Sequence, residues 1–187
     1  MLIIMPEIET ARLHLRPYTL SDLDELTVIL SHPEVMRYSP RGPLPKGKER
    51  QITQEILEFF INHWQQHKFG VWAVIYQQTN KLIGHCGLNF LPNTPEVEVL
   101  YRFDPAFWNQ GIATEATKAS LRYGFEEVGL DCIVAITLPE HLASRRVMEK
   151  AGLKYEKDAH FYDLDVVYYA IAREAFQPDG SLYVLCW

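Results

Sequence analysis

Trp108-Asn109-Gln110-Gly111-Ile112-Ala113-Thr114-Glu115-Ala116 decides how the rest of the chain is read. It follows an alternating run, Val97 to Phe103, and opens a segment of helical periodicity from about Ile112 to Val128. A strand therefore runs into a short loop, and the loop into a helix start. Gly111 and Ala113 have little or no side chain, so a ligand can approach the backbone closely. The first N–H groups of a helix lack intrahelical partners and sit at the positive end of the macrodipole. That combination binds phosphate or pyrophosphate. Ala113, Ala116, Ser120 and Gly124 share one helix face, a stripe of small residues that lets the helix lie close to a sheet. The loop has neither the GK[ST] of a Walker loop nor a GxGxxG fingerprint. By itself it also fits an ordinary glycine ahead of an Ala-rich helix.

On the N-terminal side, Ala11 to Arg16 alternates as a first strand. Ser21 then caps an amphipathic helix carrying Leu23, Leu26 and Leu30. Ser39 to Lys48, with three prolines and two glycines, is the one flexible stretch. A second helix spans about Glu49 to His67, with Ile52, Ile56, Phe60 and Trp64 as its apolar positions. Val71 to Tyr76 and Leu82 to Phe90 form a hairpin around Gln77 to Lys81. On the C-terminal side, Cys132 to Thr137 is a short strand rich in β-formers, parallel to Val97–Phe103 through a right-handed crossover. A helix from about Glu140 to Ala151 stops at Gly152, which suits a left-handed cap. Strands near Lys154 to His160 and Asp165 to Ala172 finish the sheet. The order predicts a mixed α/β (α+β) fold of about seven strands, largely antiparallel, with about four helices.

A chain of 187 residues reads as one domain over 1–187, and 48% hydrophobic content supplies a core without staples. A net charge of −6 lacks the basic excess of a nucleic-acid binder. Cys86, Cys132 and Cys186 are odd in number, far apart and free of CxxC spacing, so neither a disulfide framework nor a zinc site is expected. The apolar opening Met1 to Met5 is too short for a signal-peptide core. No run approaches the roughly 20 apolar residues of a membrane span. A soluble, cytoplasmic protein with no membrane partner is the expectation.

A second segment reads His141-Leu142-Ala143-Ser144-Arg145-Arg146-Val147-Met148-Glu149-Lys150-Ala151-Gly152-Leu153. With the first, it resembles the cofactor-binding motifs of the GNAT N-acetyltransferase superfamily, [RQ]xxGx[GA] followed by NxxSxxxxxKxGF. The opening Ile8-Glu9-Thr10-Ala11-Arg12-Leu13-His14-Leu15-Arg16-Pro17 resembles the start of its RimJ/RimL-type branch, and Asp165 to Ile171 its closing strand. Trp108 stands at the family's Arg/Gln position, Asn109 where glycine is frequent, His141 at the usual Asn and Leu153 at the usual Phe. Met148 takes the place of a tyrosine found in many relatives, so a tyrosine acid cannot be carried over there.

The resemblance implies a GNAT fold with a splayed parallel strand pair, acetyl-coenzyme A as cosubstrate, no metal, and direct transfer to a primary amine. The acceptor would be a protein N-terminus or a small amine such as a polyamine, amino acid or antibiotic, and a homodimer is common among relatives. Coenzyme contacts would come from Leu100, Tyr101, Arg102 and Phe103 through free strand amides. Trp108, Asn109, Gln110, Gly111, Ile112, Ala113 and Thr114 would supply the pyrophosphate loop, with His141 and Ser144 beside them. Ser144 would hydrogen-bond or protonate the leaving sulfur. Glu98 is the candidate base, an acid sharing a strand face with Leu100 and Arg102, where apolar surroundings raise a carboxyl pKa. The bland alternative is a solvated or Arg-paired carboxylate. Glu96 lies closer to a turn. His141 is expected to be neutral at its helix start. Arg145 and Arg146 are candidates for the adenosine 3′-phosphate or for plain solvation. His63 and His67 have i, i+4 metal spacing without a third ligand and read as solvated. A non-catalytic coenzyme A-binding module is the rival reading, and a nucleotide binder a third.

Overall fold

The computed structural model describes residues 5–187. Nine strands form one sheet: β1 (Glu7–Glu9), β2 (Leu13–Pro17), β3 (Val71–Tyr76), β4 (Lys81–Phe90), β5 (Val97–Phe103), β6 (Cys132–Thr137), β7 (Lys154–Phe161), β8 (Leu164–Ala172) and β9 (Val184–Cys186). Its order is β7-β8-β6-β5-β4-β3-β2-β1-β9. Five helices accompany it: α1 (Leu23–Leu30), α2 (Pro33–Met36), α3 (Glu49–His67), α4 (Ile112–Tyr123) and α5 (Leu142–Ala151). Every strand pair is antiparallel except β5 with β6. Two strands and one helix exceed the sequence expectation. β1 and β9 are three residues each and pair only with an edge, and α2 is a single turn set by Pro33.

The helices cover both faces. One core joins β3–β6 and β8 to α4 and α5 through residues such as Trp72, Leu88, Val99, Ile112, Ala116 and Met148. The other lies under α1 and α3, with Leu26, Leu30, Leu57 and Phe60 on Ala73 and Ile75. α3 keeps its expected bounds, yet its buried positions are Thr53, Leu57, Phe60, His63 and Trp64. A 3.6-residue period places the stripe one residue on from Ile52 and Ile56, because steps of four drift around the helix. Thr19, not Ser21, opens the first helical region. It forms a capping box with Asp22, which also takes the Arg16 guanidinium at 2.7 Å. α4 ends at Tyr123 and continues as a π-turn, Gly124–Val128. A Cβ at Gly124 would lie 2.6 Å from Ile133 Cδ1, so glycine there allows the close helix–sheet contact expected of the small-residue stripe.

No helix among the described residues is long and apolar enough to cross a membrane. Met1 to Ile4, most of the apolar opening, lie outside those residues.

Candidate active site

The parallel pair is barely a pair. β5 and β6 register at one position, Glu98 with Val134, and separate beyond it. The direction of the β5 amides follows from alternation. Asp104 N donates to Ile83 O at 2.8 Å, and Leu91 N to Glu96 O at 2.8 Å, so even-numbered residues turn their backbone groups to β4. Odd-numbered residues turn to β6. Hence the Tyr101 and Phe103 amides face the gap, whereas those of Leu100 and Arg102 are used within the sheet. The expectation of a free run from Leu100 to Phe103 is corrected to these two.

The loop after β5 is shaped before any ligand arrives. Asn109 and Gly111 both have left-handed backbones, φ 58° and 78°. Gly111 is the N-cap of α4 and offers no side-chain cap, and the first backbone bond runs from Glu115 N to Gly111 O at 3.0 Å. The amides of Ile112, Ala113 and Thr114 therefore lack helical partners. Trp108 is partly exposed and ties its indole N–H to Phe103 O at 2.8 Å. Gln110 spends its side-chain amide on Ala106 O. Arg12 donates to Gln110 O at 2.8 Å and to Glu115 at 2.7 Å, and Thr10 donates to Glu115 at 2.7 Å. The loop is thereby bolted to β2 from outside, with its amides left open.

Side chains of β5 divide between the faces. On the α4/α5 face, the Tyr101 hydroxyl lies 2.9 Å from Ser144 Oγ and donates to Ser144 O at 3.0 Å. Burial raises the Tyr101 pKa above its usual range. Sequence reasoning used Tyr101 only for its backbone and missed this phenol. Met148 is core. His141 caps the start of α5, bonds Thr137 Oγ1 at 3.1 Å and stacks on Tyr38 with ring centroids 4.0 Å apart. Its pKa is lowered as expected, though burial is the main cause.

On the α1/α3 face, Glu98 is 6% exposed and burial raises its pKa to about 8. Arg102 and the Tyr162 hydroxyl oppose that rise, yet no Lys, Arg or His nitrogen among the described residues lies within the 4.0 Å of an ion pair. The Arg-paired alternative is thus set aside. Tyr162 arrives from the β7–β8 turn, where it and Asp163 hold φ values of 55° and 59°. A tyrosine in that region is uncommon, and the paired left-handed residues make the tight hairpin that carries its ring to Glu98. No sequence signal marked it. Arg102 donates to Ser39 Oγ at 3.0 Å, which docks the Pro/Gly-rich segment. His85, register partner of Arg102, is buried with Nδ1 unpartnered, and burial with the Arg102 charge lowers its pKa to about 3.

The remaining candidates separate from this site. Glu96 accepts from Tyr168 at 2.6 Å. Arg145 is engaged by Tyr169 and Pro139 O, and Arg146 is exposed. His67 is exposed, but His63 is buried, not solvated, because it continues the α3 stripe against Phe69 and Phe90. Concavities of about 400 Å³ beside Arg12 and Gln77, and about 240 Å³ beside Pro95 and Cys132, hold neither Glu98 nor Ser144. Chemistry, not cavity size, locates the site.

Comparison with known proteins identifies the family. The family model for the acetyltransferase (GNAT) domain matches residues 12–154. The uncharacterized N-acetyltransferase YnaD of Bacillus subtilis is 31% identical over 175 residues, covering 89% of this chain and 97% of its own. A GNAT-family acetyltransferase structure from Bacillus anthracis is 29% identical, with a TM-score of 0.74 over 90% of this chain and 99% of that one. RimJ of Mycobacterium smegmatis, solved with CoA-disulfide, has a TM-score of 0.77 at 18% identity over 91% of each chain, a likeness of fold. The chain belongs to the GNAT acetyltransferase family.

Proposed function

We propose that this chain transfers an acetyl group from acetyl-coenzyme A to a primary amine by direct attack, with no acyl-enzyme. One observation carries the reading: β5 and β6 pair in the ladder only at Glu98 and Val134, with Glu98 on one face of the sheet and the Ser144–Tyr101 pair on the other. Acetyl-coenzyme A supplies an activated carbonyl and a thiol leaving group. Gly111 and the open amides of Ile112, Ala113 and Thr114 take the pyrophosphate, shaped by Trp108, Asn109 and Gln110. The Tyr101 and Phe103 amides point into the gap and serve as donors to the pantetheine arm and the carbonyl oxygen. His141 lines the pantetheine side as a neutral imidazole.

Glu98 takes the proton of the incoming ammonium. A carboxyl whose pKa stands near 8 is matched to that task close to neutrality. On the opposite face, the Ser144 hydroxyl turns from Tyr101 toward the departing sulfur and supplies its proton or a hydrogen bond. The Tyr101 phenol holds the serine in place and can replenish the proton. As the intermediate collapses, the nitrogen's second proton restores the Ser144–Tyr101 pair, so the products are one amide, one thiol and the single proton that Glu98 passes to solvent. Likeness to RimJ and to the spermidine N-acetyltransferase of Vibrio cholerae, solved with CoA and spermine, supports a coenzyme A site in this fold.

Thiol release from acetyl-coenzyme A, measured over a panel of peptides and small amines, tests the reading. Amine-dependent release that drops in Glu98→Gln and Ser144→Ala, while coenzyme affinity holds, is the expected result. Tight coenzyme binding without release on any amine would overturn it in favour of a non-catalytic module.

A further inference from the structure

The groups around Glu98 carry a charge pattern that the transfer chemistry does not use. Arg102 lies on the same face of β5, partly exposed, with its guanidinium donating to Ser39 Oγ. No carboxylate among the described residues lies within 4.0 Å of it. Its nitrogens are absent from the buried, unpartnered side-chain atoms, which are Thr53 Oγ1, His63 Nε2, His85 Nδ1 and Tyr183 OH. The unused N–H groups of its five-donor fork therefore keep contact with solvent. Arg41 comes from the same Pro/Gly-rich segment and donates its backbone N–H at 3.3 Å to the same Ser39 Oγ that Arg102 holds, so the two positive charges stand near each other and repel. His85, beneath Arg102 on β4, adds no negative charge. Glu98 is the one carboxyl among the groups acting on Arg102, with the Tyr162 phenol beside it, and two guanidinium groups face that single carboxyl.

An arginine left without a counter-ion beside a second arginine is a site built for an anion. A planar carboxylate matches the guanidinium fork in shape and charge. A polyamine meets the wrong sign of charge at these two arginines. We infer that the acceptor is a small amine with its own carboxylate near the amine, an amino acid or close analogue, whose carboxylate is held by Arg102 and Arg41 while its amine faces Glu98. The inference rests on the transferase reading above and names the acceptor class for that same site. Tyr162 comes from the β7–β8 turn, with its phenol beside Glu98 and within the field of both arginines. The two segments that the sequence left without a signature, Ser39 to Lys48 and the turn near Tyr162, thus supply the recognition.

The test compares free amino acids, including β-alanine, with their methyl esters, with spermidine and with short uncharged peptides, by thiol release from acetyl-coenzyme A. The wild-type protein is expected to favour free acids over their esters by at least about tenfold in kcat/KM. Arg102→Gln should collapse that ratio toward one. Arg41→Gln, on an exposed loop position that leaves the core untouched, should narrow it by about threefold to tenfold and serves if Arg102→Gln fails to fold. Equal rates for acids and esters, or a preference for spermidine or peptides, overturns the inference and leaves the transferase reading standing. Silence on every amine while acetyl-coenzyme A still binds overturns both.

Discussion

Replacing Glu98 by glutamine should make the protein more stable and far less active. The carboxyl is 6% exposed with its pKa raised to about 8, against 4.5 ordinarily. Between those values the folded chain holds a proton that the unfolded chain has released, so stability falls as pH rises through the window. At pH 7 the accumulated cost is about 3 kcal/mol, from 1.36 kcal/mol per pH unit. Glutamine cannot ionise and removes that cost. In a protein of this size the gain appears as roughly 6–12 °C in Tm. At pH 5 the two proteins should unfold within a few degrees of each other, and the difference should open toward pH 8. Buried histidines titrate in an overlapping range with opposite sign, so the measured quantity is the difference between variant and wild type, by scanning calorimetry at half-unit steps. In parallel, kcat/KM of wild type should rise toward pH 8 and level off, while Glu98→Gln loses about 10²–10⁴-fold and the inflection with it. Tyr162→Phe should move that inflection upward, because the tyrosine opposes the raised pKa. A Tm difference that does not change with pH would refute the buried carboxyl. Activity retained within threefold would refute the base.

Three further outcomes follow from the same geometry. Gly111→Ala must hold a left-handed φ of 78° with a side chain, costing about 1 kcal/mol and about tenfold in coenzyme A affinity by titration calorimetry. Tyr101→Phe and Ser144→Ala should each lower kcat by about tenfold or more, with coenzyme Kd within threefold. Their double variant should be little worse than the poorer single one, since the hydroxyls act as a pair at 2.9 Å. Acid should unfold the protein early. His63 and His85 stay neutral in the fold, with pKa values near 4 and 3, so stability is intact above the unfolded value of 6.5 and falls as pH drops below it. By pH 4 each costs about 3 kcal/mol, and His63→Leu should recover part of that loss in a Tm-against-pH series.

Much of this fold is written in local pattern. Alternation marked Val97–Phe103 and a short apolar run of β-formers marked Cys132–Thr137, both to the residue, and the glycine at 152 ended α5 where a left-handed cap was due. What pattern lacked was long-range register. β1 and β9 are too short to alternate, and pairing makes them strands: β1 with β2, and β9 with β1 across almost the whole chain. In α3, Phe60 and Trp64 are buried as expected, but Thr53 and Leu57 replace Ile52 and Ile56 because four-residue spacing drifts from the 3.6-residue period, and the same period buries His63.

The site divides along the same line. Glu98, Ser144 and the loop around Gly111 could be singled out as candidates because a strand, a helix start and a glycine each leave a sequence mark. Tyr162 left none. Its importance comes from a turn in which tyrosine and aspartate take conformations usually given to asparagine and glycine, a choice that costs the hairpin on the order of 1 kcal/mol per residue. A cheaper Asn-Gly turn would fold the same hairpin without placing a phenol over a buried acid. The cost makes sense only if the phenol is needed where it sits. The β7–β8 turn should therefore tolerate Asp163→Gly with a gain in stability, while Tyr162→Asn, equally favourable for the backbone, should stabilise the hairpin and still lose activity. If Tyr162→Asn keeps wild-type kcat/KM with its pH inflection in place, the turn is strained for another reason.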